Sequence, residues 1–295
     1  MLIVLFGVAS LTFLMMRTMP GSPFAGERNL SEQVEQQLLK KYKLDGSLPQ
    51  QYFSYLGDLL QGNLRESLQY KNRTVGEILA QALPVSAILG GCAFVLATIL
   101  GTGLGAIAAL RQSSWIDTGA MLFALFAISI PSFVTGPILI YLLALQWGWL
   151  PIGGWGTLGH LILPTLVLAA PFVAYIARLM RTSMLETLNQ DFIRTARAKG
   201  VDETGVMIRH ALKVAILPVV SFLGPLAANL LTGSIVVETI FHIPGAGRYF
   251  VYGVMNRDAF LLGGVVIVYS FLVLFMNFLV DIAYTFLDRR IKIYG

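Results

Sequence analysis

The chain has 295 residues, 56% of them hydrophobic and only 13% charged, with a mean hydropathy of +0.72. Soluble domains carry about 25% charged residues, so this composition excludes an ordinary soluble enzyme and indicates a membrane protein. The net charge of +5 is not a nucleic-acid footprint either, because the basic residues lie beside apolar runs rather than in a patch interleaved with exposed aromatics.

Six apolar segments stand out, at about 2–16, 84–110, 118–147, 159–180, 214–237 and 260–287. A spanning helix needs roughly 20 mostly apolar residues. The first segment is short for a span and lacks a basic n-region or a small-residue cleavage site, so it reads as a first span missing its N-terminal turn rather than a cleaved signal. Met19-Pro-Gly-Ser-Pro23 then breaks the chain. Within 17–83, a helix is expected from Leu30 to Tyr42, with Ser31 as N-cap and Val34, Leu38, Leu39 and Tyr42 at helical spacing. A second covers Gln50 to Leu60, and the module reads as a cap resting on the membrane surface.

The second span carries Ala93, Ala97, Gly101, Gly105 and Ala109, four residues apart, a smooth stripe for close helix packing inside the subunit or against a partner. The lone Cys92 excludes an internal disulfide and is expected to be a buried packing thiol. The charge-free stretch from Thr118 to Ala177 is too long for one span. It divides at Gly148-Trp-Leu-Pro-Ile-Gly-Gly-Trp-Gly156, a cluster suited to an interfacial turn, leaving 118–147 as one span. Pro131, Pro137, Pro164, Pro171, Pro218 and Pro225 are expected to kink or break their helices. Glu238 and Asp281 are read as the acidic residues near membrane depth, at opposite ends of the fifth and sixth spans, in capping or ion-pairing roles.

The charged segment between the fourth and fifth spans carries the functional signal. Arg178, Arg181, Arg194, Arg197, Lys199, Arg209 and Lys213 fall there between long apolar runs. Asn189 or Asp191 is expected to cap a helix containing Ala196, Ala198 and Lys199, and Gly200 ends it through a positive φ. Asp202, Glu203 or Thr204 caps the next helix, which carries Arg209, His210 and Lys213. With Arg111, Arg289, Arg290 and Lys292 on the same side, against Arg248 and Arg257 on the other, the positive-inside rule puts both termini and this loop in the cytoplasm. On residue types alone the loop is either a protein-docking element or an amphipathic connection on anionic headgroups.

No catalytic constellation is visible. Gly200-Val-Asp-Glu-Thr-Gly205 has P-loop glycine spacing but continues Val206-Met207 where Lys-Ser/Thr is required. His160, His210 and His242 lie apart, so no metal site and no cofactor is expected. A secondary transporter would bury several ionisable groups near the midplane, which this chain lacks.

Arg194-Thr-Ala-Arg-Ala-Lys-Gly200, Arg209-His-Ala-Leu-Lys213 and Leu217-Pro218 resemble the peptide/nickel branch of the ABC-importer permeases. So do Gly233-Ser-Ile-Val-Val-Glu-Thr-Ile-Phe241, Ile243-Pro-Gly-Ala-Gly247 and Asn256-Arg-Asp258. Pro20-Gly-Ser-Pro-Phe-Ala-Gly-Glu-Arg28 and Gln51-Tyr-Phe-Ser-Tyr-Leu56 resemble the B subunits of oligopeptide permeases in particular. The resemblance covers nearly the whole chain, and departs from the general pattern in beginning the loop with Arg194-Thr195 where Glu-Ala is common.

It implies an all-α polytopic membrane protein with six transmembrane helices, the type I ABC-importer permease fold. Residues 1–295 would form one permease domain, with 17–83 an extracytoplasmic cap and 181–213 an ATPase-docking loop. The implied partners are a related second permease forming a heterodimer, two ATP-binding cassette subunits, an external binding protein, a peptide substrate and the lipid of a bacterial inner membrane. Carried over position by position, Ala196, Lys199, Gly200 and Glu203 would form the docking surface, and none of them would be catalytic. Oligopeptide import is the implied function. Dipeptide, glutathione or nickel import is the alternative within the family, and a stand-alone secondary transporter the one outside it. Ser129, Ser132, Asn229 and Ser234 are polar enough to line a pore, yet each could equally bond a neighbouring helix.

Overall fold

A computed structural model describes residues 2–18, 32–231 and 234–287. Its described residues are helical with no named strand. The helices are α1 (Leu2–Thr18), α2 (Glu32–Lys41), α3 (Leu48–Leu60), α4 (Val75–Leu110), α5 (Trp115–Ser129), α6 (Ser132–Leu139) and α7 (Leu158–Leu188). They continue with α8 (Asp191–Ala198), α9 (Glu203–Gly205), α10 (Leu212–Ala215), α11 (Leu217–Leu231), α12 (Ile235–Ile240), α13 (Gly247–Met255) and α14 (Ala259–Leu287). Two π-helical stretches, Ile140–Gln146 and Val206–Ala211, extend α6 and join α9 to α10.

Four helical segments are long and apolar enough to cross a membrane: α4, α7, the one that starts at Leu217, and α14. A fifth is reached if α5 and α6 count as one span, but they are bent by 106°. The single span expected over 118–147 is therefore broken. Ile130 and Pro131 are both extended, because proline disfavours the helical region for the residue before it. Pro137, inside α6, cannot donate to the preceding turn, and the π-helical stretch begins three residues later. Pro164, Pro171 and Pro225, in contrast, sit within helices that continue past them. The apolar α1 has 17 residues, short of a span, so the described residues carry up to five spans rather than the six expected.

The chain divides into two compact units. The first comprises residues 1–86 and 244–274. Its core sets Val75, Ile78, Leu79 and Ala82, one face of the first turns of α4, against Ala246, Tyr249, Phe260, Leu261 and Val265. Thr74 opens α4 with a capping box: its hydroxyl accepts from the Glu77 N–H at 3.1 Å, and Glu77 Oε2 accepts from the Thr74 N–H at 3.0 Å. Asp258, fully buried, caps α14 by accepting from the Leu261 N–H at 3.0 Å, and also accepts from the Ser67 hydroxyl and the Gln69 N–H. Ser86 Oγ accepts from the Ala246 N–H at 2.8 Å. The Asn256-Arg-Asp258 and Ile243-Pro-Gly-Ala-Gly247 motifs thus satisfy buried polar groups, which left unpaired would cost about 1–3 kcal/mol each. In the segment that precedes α4, Asp58 pairs with Arg65 at 2.8 Å and Lys43 at 3.2 Å, and burial pushes the Tyr55 hydroxyl up to about 12. Ser31 lies outside the described residues, as do the side chains of Val34 and Leu38.

The second unit comprises 87–243 and 275–295. Here the small-residue stripe of α4 packs inside the subunit. Ala93 and Ala97 are fully buried, a Cβ on Gly101 would lie 2.9 Å from the Val173 carbonyl oxygen, and one on Gly105 would lie 2.4 Å from that of Ala177. Earlier in α4, a Cβ on Gly90 would fall 2.0 Å from the Leu230 carbonyl oxygen. Cys92 corrects its expectation, for it is exposed. It lies one residue from buried Ala93, about 100° round the helix, and so faces away from the packed stripe. The Gly148–Gly156 turn is as expected: Gly148, Gly154 and Gly156 all have positive φ, and Trp147 and Trp149 pair with ring centroids 4.7 Å apart.

Candidate functional site: the loop after α7

α7 ends at Leu188, where the Asn189 side chain donates back to the Leu185 carbonyl at 3.0 Å. Gln190, extended at φ −78° and ψ 153°, takes the N-cap position of α8. This corrects the expected cap. Asn189 closes the previous helix, and Asp191 is already the first residue of α8, pairing with Arg194 at 3.5 Å across solvent. Gly200 then adopts φ +80° and donates to the Arg197 carbonyl at 2.9 Å, the left-handed turn expected of a glycine past a helix end. Of the three candidates for the next cap, Asp202 is the one used, its carboxylate accepting from the Gly205 N–H at 3.3 Å.

The loop has an inner and an outer face. Ile193 and Ala196 of α8 point inward, one helical turn apart, and Val206, Ala211 and Ala215 are fully buried on the following segment. Gly205 is buried, and a Cβ there would lie 2.8 Å from Oδ1 of Asp202, the side chain that caps this helix. Of the four expected docking residues, Ala196 is inside at 6% exposure, while Lys199, Gly200 and Glu203 are exposed together around one turn. A Cβ added at Gly200 would meet nothing within 4 Å.

Three further residues of the loop are exposed. Arg197 makes a two-pronged ion pair with Glu203, Nε to Oε1 at 2.7 Å and Nη2 to Oε2 at 3.1 Å, which spans the Gly200 turn. That hydrogen-bonded guanidinium lowers the Glu203 carboxyl below its ordinary value. Phe192 and Ile208 add apolar surface, 39% and 53% exposed. Phe192 keeps helical spacing with Ala196, and Ile208 with Ala211, Leu212 and Ala215, so nothing in the sequence marks either as outward-facing. The ion pair has no sequence signal beyond opposite charges six residues apart.

Above the loop, a second pair joins α5 to α7. Asp117, 4% exposed, accepts from both Nε and Nη2 of Arg181, and its Oδ2 also accepts from the Ser113 N–H at 3.0 Å. Ser114 caps α5 by accepting from the Asp117 N–H at 3.3 Å. Asp117 is thus a buried acidic residue at the start of an apolar helix that the sequence reading did not single out. Its signal is Ser114-Trp-Ile-Asp117, a Ser-x-x-Asp start before an apolar run. Glu238 is buried at 1% exposure on α12, and Asp281 is exposed.

The loop is a compact two-faced element, held to the end of a long helix by its buried side and presenting a basic, partly apolar outer side.

Known proteins show the same architecture. The chain's fold matches that of a chain in inward-facing crystal structures of the MetNI methionine ABC transporter, with TM-scores of 0.57 and 0.58 at 19% and 16% identity. Each match covers 72% of this chain and 96% of that one. In sequence it is 45% identical over 290 residues to the oligopeptide transport system permease protein OppB of Salmonella typhimurium, covering 98% of this chain and 95% of that protein. It is 43% identical over 287 residues to the dipeptide transport system permease protein DppB of Bacillus subtilis, covering 97% and 93%. Residues 101–293 match the model of the binding-protein-dependent transport system inner membrane components, and the chain belongs to that family.

Proposed function

We propose that this chain is one of two related transmembrane halves of an ATP-driven importer of oligopeptides, that it lies in a bacterial inner membrane with both termini cytoplasmic, and that the turn at Gly200 docks on an ATPase subunit. The observation that carries the reading is the outward presentation of Lys199, Gly200 and Glu203 on a loop whose other face is buried. Arg197 holds Glu203 across the turn, so the docking surface is preshaped, and Phe192 and Ile208 add exposed apolar area on the same loop. Ala196 takes a supporting part. It closes the packing beneath the turn, where α8 rests on the 206–211 stretch, and that stretch and α10 rest in turn on α7, so force applied at Gly200 reaches α7 through them.

Orientation rests on the basic residues of the 181–213 loop and on Arg111, which the cytoplasmic side favours. The substrate rests on the oligopeptide relative named above. The work of this subunit is therefore mechanical: nucleotide-driven movement of the ATPases shifts the loop, and the spans change the side to which the pathway opens. The external binding protein delivers the peptide.

Gly200→Glu tests the docking. The variant is expected to insert in the membrane normally, because nothing in the chain crowds that position, and to lose uptake and ATPase co-purification together. Normal uptake by it would defeat the assignment. Dipeptide import is the second reading, supported by the nearly equal identity to the Bacillus subtilis relative. Competition of labelled tetrapeptide uptake by unlabelled dipeptides separates the two.

A further inference from the structure

α5 and α7 leave a groove of about 440 Å³ between them, at the ends of these helices that lie on the α8 side. Thr118, Met121, Leu122, Leu125 and Arg178 line it together with the Asp117–Arg181 pair. The groove sits where the hydrocarbon should end. Asp117 stands just before the charge-free stretch that starts at Thr118, and Arg178 just after that stretch closes at Ala177.

The charges in the groove do not balance. Arg181 spends its Nε and Nη2 donors on Asp117, and that pair is neutral as a unit. Arg178 is exposed and has no ion-pair partner among the described residues. Thr118 already donates its hydroxyl to the Ser114 carbonyl at 3.1 Å, which leaves Arg178 as the cation of the groove with no carboxylate set against it among the described residues. One and two helical turns deeper, the lining is apolar and open, with Leu122 50% and Leu125 54% exposed. An uncompensated guanidinium at the interface above an open apolar wall matches one occupant at both ends, an amphiphile with an anionic head.

We propose that this groove binds an anionic phospholipid of the leaflet on the α8 side, with its phosphate on Arg178 and an acyl chain along Leu122 and Leu125. Guanidinium presents paired N–H donors that suit phosphate oxygens, and basic pockets between transmembrane helices are where headgroups are held. The lipid would fill the α5–α7 groove and hold the two helices at the level of the Asp117–Arg181 pair. The site is independent of what the Gly200 turn contacts, so it stands whether or not the docking assignment does.

The test uses the full chain in lipid vesicles, alone and with the subunits that co-purify with it. In a Cys92→Ser background, Trp115→Cys provides an attachment point for a fluorophore at a residue that is 83% exposed and two positions from Asp117. Phosphatidylglycerol or phosphatidylcholine with brominated acyl chains is then added at about one lipid in ten as the quencher. The expected result is quenching several-fold stronger by phosphatidylglycerol than by phosphatidylcholine, in both the isolated and the assembled chain. Arg178→Gln should make the two lipids equal, and Arg178→Lys should keep part of the preference. Equal quenching in the unsubstituted chain, or a preference that survives Arg178→Gln, overturns the proposal. So does loss of quenching by both lipids on assembly, which would show that a partner chain covers the groove.

Discussion

The crossing of α4 with α7 and the turn at Gly200 both depend on glycine, for opposite reasons. At Gly101 and Gly105 the backbone is ordinary helix, and the missing Cβ lets α7 come so close that the atom would strike a carbonyl oxygen. At Gly200 the surroundings are empty, and the requirement is the positive φ. The first glycine type holds the membrane body together and the second shapes a surface, so substitutions should damage stability in one region and activity in the other.

The largest expected effect is Gly105→Val. Its Cβ would sit 2.4 Å from the Ala177 carbonyl oxygen, where the neighbour is backbone and cannot rotate away. The helices must separate, at a cost of about 3 kcal/mol or more, and the variant should fail to accumulate as a monodisperse species in gel filtration. Gly103→Ala, two residues away with open space around it, should instead gain about 0.5–1 kcal/mol in thermal unfolding. If both changes were equally harmful, close approach would not be what the α4 stripe provides.

Next comes Asp117→Asn. Breaking a buried pair costs about 3–5 kcal/mol, and the lower end applies because Arg181 is a quarter exposed. The melting temperature should fall by several degrees, whereas Glu203→Gln at the exposed pair should leave it unchanged. Gly200→Ala is smaller again. A left-handed residue with a Cβ costs about 1–2 kcal/mol, and Gly200→Asn should cost less because asparagine tolerates that region. Uptake by the Asn variant should exceed that of the Ala variant, by a margin that follows turn geometry rather than bulk.

The smallest effect is electrostatic. The depressed Glu203 carboxyl contributes stability that is present above its ordinary value near 4.5 and disappears as pH falls through its lower folded value. Limited proteolysis at the 199–203 turn should therefore accelerate as pH is lowered past that range, with no such step in Arg197→Gln, which lacks the cation. A step that persisted in Arg197→Gln would assign it to another carboxylate.

What the sequence revealed divides along similar lines. Features set by local chemistry were legible: the Gly200 turn, the Gly148–Gly156 turn, helix α3 and the four-residue stripe on α4. Features set by partners far along the chain were not. Asp117 and Arg181 are 64 residues apart, so their pairing had no local trace beyond the Ser-x-x-Asp helix start. The inward turn of Ala196 depended on which side of an eight-residue helix faces Val206, and Cys92 is exposed because the packed stripe runs through its neighbour. The break at Pro131 was legible as a proline but not as a bend of 106°, since Pro164 and Pro171 sit in a helix that continues. The difference is that Ile130 and Pro131 both leave the helical region, whereas α7 keeps its path through its prolines and is buried along much of its length.

The length of α7 has a mechanical consequence. Its 31 residues make a rod about 46 Å long at 1.5 Å per residue, against a hydrocarbon layer of about 30 Å. Both of its prolines lie in the half that begins at Leu158, and the stretch from Phe172 to Leu188 contains none. The stiff half is the one that carries α8 at its foot. Such a rod is a lever arm: pivoting by 10° about its far end sweeps the foot through about 8 Å, more than one helical turn. A small rotation at the far end would thereby become a large displacement at the foot, the end after which Gly200 follows.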